Sequence, residues 1–301
     1  MVRNLLNFIF YGNYFVGLLA LVLSVETCLQ LRLPLPNPLY FISLFCATTF
    51  YYTYSYSSPK NVIMGNARTI WFLTHQTKVK WSQRILLTCC LFCTAIYSMV
   101  YATGIAALPF SYWLSIVILG LAALLYYGLL PTSGFKINLR NTGWLKAFVI
   151  GFVWAGTVSL LTVTVVKSES GSSLLYPVFG LWLFVKNWMF CTVNAIMFDI
   201  KDYAADSNKQ LRTFVVRHGL RKTIFFVLIP LLCVGFLSIL IFTHFMHFPA
   251  IPVLFNLLPF PLFLWAAWSL QKRHSLFYYL VVIDGIIMAK GLCGISGSFF
   301  M

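Results

Sequence analysis

The stretch from Leu174 to Asp206, LLYPVFGLWLFVKNWMFCTVNAIMFDIKDYAAD, decides how the rest of the chain is read. From Leu174 to Phe198 only Lys186 is charged. A run of this kind meets the requirement of about 20 predominantly apolar residues for a helix that crosses a bilayer. Its end has the opposite character. Asp199, Asp202 and Asp206, three of the six acidic residues in the chain, fall within eight positions. If the helix continues at about 100° per residue, Asp202 lies about 60° and Asp206 about 20° from Asp199. All three carboxylates then line one face over two turns. Hard oxygen donors at this spacing suit magnesium, which is commonly held by one or two carboxylates together with substrate phosphates.

Working outward, comparable apolar runs recur along the whole sequence. Nine are expected: Leu5–Gln30, Asn37–Tyr56, Ile85–Ala102, Ala107–Leu130, Gly143–Val166, Leu174–Ile200, Thr223–Phe245, Phe248–Leu270 and Leu276–Ile295. Pro249, Pro252, Pro259 and Pro261 crowd the eighth, so it should start late or kink. The chain is 60% hydrophobic and 9% charged, outside the composition of soluble domains. It is read as an all-α, polytopic membrane protein, one helical domain over residues 1–301.

The basic residues set an orientation, because Lys and Arg accumulate in cytoplasmic loops. Loops after the second, fourth, sixth and eighth runs carry five, three, six and two of them. With Arg3, that places 17 on one side, against only Arg32 and Lys167 on the other. The amino terminus and the Asp cluster are therefore expected in the cytoplasm and the carboxyl terminus outside, in the cell membrane. This asymmetry accounts for the net charge of +15 without nucleic acid, for which no binding motif is present. Anionic membrane lipid is the natural partner of such loops. The first apolar run is too long for a cleaved signal peptide and reads as a retained anchor. Eight cysteines, among them Cys89, Cys90 and Cys93, are expected as free, buried thiols.

Beyond Asp206 the chain continues Ser207-Asn-Lys-Gln-Leu-Arg-Thr213-Phe-Val-Val-Arg-His-Gly219. With the Asp cluster, this resembles the second aspartate motif of the UbiA superfamily of intramembrane prenyltransferases. The match falls on Asp199, Asp202, Asp206, Leu211, Arg212, Thr213, Val216 and Gly219, and Asn194 stands where relatives often carry asparagine. Gln210 departs from the family's glycine, and Val215 stands where proline is frequent. The family's first motif, N-D-x-x-D at the end of the second span, has no counterpart. Thr53, Tyr54 and Ser55 occupy its place, and no acid occurs between Glu26 and Glu169.

The resemblance implies a bundle of about nine helices. It also implies transfer of a polyprenyl group from its diphosphate to an acceptor, which the sequence does not identify. Magnesium would be held at Asp199, Asp202 and Asp206, with catalysis at Asp202 and Asp206. Lys201, Lys209, Arg212, Arg217 and, across the second-span loop, Arg68 would clamp the diphosphate. Two other functions stay open: a catalytically inactive relative that binds a lipid or partner protein, and, less favoured, a transporter.

Other residues carry weaker signals. Asp284, inside the ninth run, is an intramembrane acid and so a candidate site residue. Lys186 is its expected ion-pair partner, with a substrate contact as the alternative. Asn187 and Asn194 share a face and should form interhelical hydrogen bonds. Tyr51, Tyr52, Tyr54 and Tyr56 read as an interfacial belt, or else as a wall that stabilises a cation. His244 and His247 lack a third ligand. Residues from Asn61 to Lys80 should form an amphipathic interfacial helix.

Overall fold

The computed structural model describes residues 2–57, 67–127, 143–172, 174, 177–208 and 210–301. Every regular element among them is a helix. Hydrocarbon offers no water to backbone N–H and C=O groups, so apolar segments take the form that satisfies those groups internally. In chain order the helices are α1 (Val2–Tyr11), α2 (Tyr14–Gln30), α3 (Pro38–Ser57), α4 (Ala67–Thr74), α5 (Gln76–Val100), α6 (Ala102–Ala106) and α7 (Phe110–Tyr127). There follow α8 (Leu145–Ser170), α9 (Pro177–Lys201), α10 (Tyr203–Asn208), α11 (Phe214–His218), α12 (Leu220–Phe245), α13 (Ala250–Ser269) and α14 (Leu276–Ser298).

Six of these, α5, α8, α9, α12, α13 and α14, are long and apolar enough to cross a membrane, or seven spans if α1 and α2 count as one. Three of the nine expected segments account for the difference. The first is bent by 60° between α1 and α2. Asn13 sits there in the left-handed region at φ 62°, a conformation asparagine tolerates better than most residues. In the second, α3 has 20 residues, but tyrosine, threonine and serine dominate its last third. In the fourth, Phe110–Tyr126 is a shorter apolar helix, and residues 128–142 lie outside the described set. The proline-rich eighth segment does start late, at Ala250, with Pro249 at the N-cap.

The long helices pack in chain order as a ring: α2 on α3, α3 on α5, α7 on α8, α8 on α9, α9 on α12, α12 on α13, α13 on α14, and α14 back on α2. Small residues permit the closest approaches. A Cβ on Gly151 would lie 2.2 Å from Thr192 Oγ1, so α8 and α9 could not come as close with a larger residue there. Each of α8, α12 and α14 also contains a π-helical turn, at Gly156–Leu161, Ile224–Leu228 and Tyr279–Ile283.

A buried polar network ties the end of α2 to α9, α13 and α14. Glu26, fully buried, pairs with Lys290 at 2.6 Å and with Lys186 at 3.5 Å. Lys186 also donates to Gln30 Oε1 and Asn256 Oδ1, at 3.1 and 2.9 Å, and Lys290 donates to Asn187. This corrects the expected pairing of Lys186 with Asp284. Lys186 lies nine residues into α9 and Asp284 eight into α14, so each sits roughly 12–14 Å from the start of its helix. The two helices start at opposite ends of the ring, which separates the groups in depth and leaves Lys290 level with Lys186.

Candidate functional site

A cavity of about 790 Å³ runs through the ring between α2, α3, α5, α7, α8, α9 and α14. One end is charged: Arg68, Lys146, Asp199, Lys201, Asp202 and Asp284 all line it. Towards the other end the wall becomes apolar and hydroxylic, and Tyr97 and Ser168 share a hydrogen bond of 2.9 Å there.

The Asp cluster supplies part of the charged end. Helix α9 ends at Lys201, and the chain turns at Asp202 before the short α10, so the three carboxylates do not form one continuous helical stripe. Instead Lys146, at the start of α8, reaches between two of them, 2.7 Å from Asp199 and 3.5 Å from Asp206. Asp202 pairs with its neighbour Lys201 at 3.1 Å and keeps 39% of its side chain exposed. Among the described residues, no three carboxylate, His or Cys groups are placed to hold one metal ion. One feature does suit a cation. Oδ2 of Asp199 is buried on the cavity wall without a hydrogen-bond partner among the described residues. Lys146 is one of the three basic residues of the loop after the fourth apolar run, and nothing in its local sequence announces the contact.

Arg68 enters the same end from α4. It is buried, donates to Tyr11 O from Nε and Nη2 at 3.1 and 2.9 Å, and donates to Asn13 Oδ1. Its guanidinium lies 4.0 Å above the Tyr56 ring. The left-handed Asn13 that breaks the first segment therefore also positions a cavity cation. Helix α4 covers only part of the amphipathic helix expected from Asn61 to Lys80. Residues 61–66 lie outside the described set, and Lys78 and Lys80 belong to α5. Ile70 and Leu73 face outward, as an interfacial helix requires, while Arg68 and Phe72 turn in.

Asp284 accepts a hydrogen bond from Asn194 Nδ2 at 3.1 Å, and both line the cavity. Asn187 likewise crosses helices, donating to Ser159 Oγ at 2.9 Å. Most of the tyrosine run faces inward. Tyr51, Tyr52 and Tyr56 line the cavity, and only Tyr54 is exposed. Tyr52 is hydrogen bonded to Trp154 Nε1, and Tyr51 donates to Ala123 O of α7 at 2.9 Å. The belt reading therefore gives way to a cavity wall at three of the four positions.

Two expected phosphate-clamping residues fall elsewhere. Arg212 and Arg217 are exposed around a separate surface groove with Gln210 and Val216. Lys209 lies outside the described residues. Within the same segment, Thr213 caps α11 by accepting from Val216 N. Gln210 adopts φ 54°, the left-handed region that favours glycine. At the end of α3, Thr53 accepts from Asn13 Nδ2 and donates to Gly12 O, both at 3.0 Å. Its hydroxyl is thereby committed to the α1–α2 bend. The cysteines are free thiols, as expected, but only Cys28, Cys46, Cys93 and Cys191 are buried; Cys89, Cys90 and Cys293 are half-buried and Cys233 is exposed.

Comparisons with protein-family models, with curated proteins and with solved structures found no match for this chain.

Proposed function

We propose that the chain binds a polyprenyl diphosphate in this cavity and transfers the prenyl group to an acceptor, as a divergent UbiA-type prenyltransferase. The observation that carries the reading is one cavity, among the described residues, with a charged end and a mainly apolar body. An amphiphile with an anionic head and a hydrocarbon tail matches both parts. Arg68 and Lys201 bring cationic donors to the head, and Lys146 keeps Asp199 and Asp206 from repelling it. Gln210, left-handed where the family places glycine, adds support at the level of backbone shape.

In the reaction, the allylic C1–O bond breaks and its electron pair leaves with the diphosphate. The faces of Tyr52 and Trp154 stabilise the allylic cation by cation–π attraction. The acceptor atom then bonds to C1 and gives up a proton, for which Asp284 is the carboxylate deeper in the wall. Magnesium would be held by Asp199 Oδ2 and Asp202 together with the phosphates. When bound, it neutralises charge that develops on the leaving group. The basic end of the ring is assigned to the cytoplasm of the cell membrane.

One observation favours a second reading, a protein that binds the prenyl diphosphate without turning it over. Of the residues in the place of the missing first motif, Thr53 has its hydroxyl committed to the α1–α2 bend. Purified protein with geranylgeranyl diphosphate tests both. The proposal expects magnesium-dependent binding, weakened at least about tenfold in Asp202→Asn and in Arg68→Ala, and release of diphosphate with a competent acceptor. Binding without release across aromatic and lipid acceptors selects the second reading. Absence of binding sinks both.

A further inference from the structure

We propose that the surface groove at Arg212 and Arg217 is a docking site for an anionic phospholipid of the leaflet at the basic end, held by its headgroup phosphate. Gln210 and Val216 complete the groove. It shares no lining residue with the cavity, so the site stands apart from prenyl transfer.

The sequence makes this region strongly cationic. From Ser207 to Ile283 there is no acidic residue, while Lys209, Arg212, Arg217, Arg221 and Lys222 fall within fourteen positions. Arg212, Arg217, Arg221 and Lys222 are all exposed. None of the ion pairs among the described residues involves them. The nearest acid in sequence, Asp206, is buried against Lys146. Like charges this close repel one another, and an anion bound among them relieves the repulsion.

Packing holds the two arginines in place. Thr213 and Val215, between them, are buried, and Thr213 caps α11, so the backbone is fixed while both guanidinium groups stay outside. The ring of Phe214 lies 6.4 Å from that of Trp144 and 6.2 Å from that of Phe148, both edge-on, which joins α11 to the start of α8. Gly143 permits the approach, since a Cβ there would lie 2.5 Å from Arg212 O. The fork of a guanidinium matches two oxygens of one phosphate.

Depth identifies the source of that phosphate. Trp144, 47% exposed beside Phe214, has the amphipathic ring that settles at headgroup level. Phe226, 77% exposed, is four residues beyond Lys222 in α12, about 6 Å along the helix. Contact with hydrocarbon therefore begins about one turn from the cluster. A lipid phosphate already occupies this level, with its acyl chains alongside α12, whereas a soluble anion must be drawn from bulk water.

The test places p-benzoylphenylalanine at Val216 of the full chain, in phosphatidylcholine vesicles containing about one-tenth phosphatidylglycerol. The ratio of phosphatidylglycerol to phosphatidylcholine in the photoadduct should exceed that of the bilayer at least about tenfold. Arg212→Gln combined with Arg217→Gln should return it to the bilayer ratio. Lys272→Gln combined with Arg273→Gln removes the same charge from the exposed loop before α14 and should leave the enrichment unchanged. Excess glycerol phosphate should not compete. An adduct at the bilayer ratio in the parent overturns the proposal. So does an equal loss in both double variants, which would mean diffuse surface charge, or displacement by glycerol phosphate, which would mean a soluble ligand. In cell membranes Val216 should again capture phospholipid, and capture of a protein in its place also overturns the assignment.

Discussion

Between Asp199 and Asp206 lies the ammonium of Lys146, and the three groups are all buried. Sequence placed the two aspartates on one face but could not supply their partner, because Lys146 comes from another helix. Removing one member of a buried ion pair leaves an uncompensated charge, at a cost of about 3–5 kcal/mol. Lys146→Met should therefore lower the thermal unfolding temperature in detergent. Asp199→Asn in that background should restore part of the loss, and a simple sum of the two effects would argue against the pairing. Gln210 offers a test of opposite sign. A non-glycine residue in the left-handed region carries roughly 1–2 kcal/mol of strain. Gln210→Gly should raise the unfolding temperature and leave diphosphate binding intact.

At the scale of elements, the network around Glu26 joins four helices at one depth. Two lysines share one carboxylate; Lys186 also donates to the amide oxygens of Gln30 and Asn256, and Lys290 to that of Asn187. Glu26→Gln should remove the only carboxylate in this network and destabilise the packing of α2 on α14 by about 3–5 kcal/mol. Denaturation in mixed detergent micelles measures this; an unchanged midpoint would show that the lysines do not depend on Glu26. The sequence placed Lys186 within an apolar run of membrane-crossing length, and it is buried in the long apolar helix α9. Its partner was misassigned because depth was counted from helix ends that lie on opposite sides of the ring. Register between helices is a property of their packing and is not encoded in the length of either one.

For the whole molecule, the arrangement of polar contacts is consistent with the asymmetry of the basic residues. Asn13, Thr53, Arg68, Lys146 and the Asp cluster gather at one end. Contacts such as Asn37 N with Glu169, at 3.0 and 3.1 Å, and Arg32 with Met301 O gather at the other. If the basic end faces the cytoplasm, a cysteine placed at Asn208 in a background without the native cysteines should react only with a membrane-permeant probe in intact cells. Reaction with an impermeant probe added outside would invert the orientation.

Composition and the length of the apolar runs were enough to determine that the described elements are all helices, several of them long and apolar enough to cross a membrane. Both are local properties, and hydrocarbon leaves an apolar backbone few other folds. The Asp cluster, the inward asparagines and the late start of the eighth segment were legible for the same reason, since each depends on neighbours in sequence. What only the tertiary structure decided is which distant groups meet: Lys146 with Asp199, Lys290 with Glu26, Arg68 with Asn13, and three tyrosines turned onto a cavity instead of a membrane surface. Those meetings depend on how helices are rotated and shifted against one another. Side-chain packing summed over the whole ring sets that geometry, and no single segment contains it.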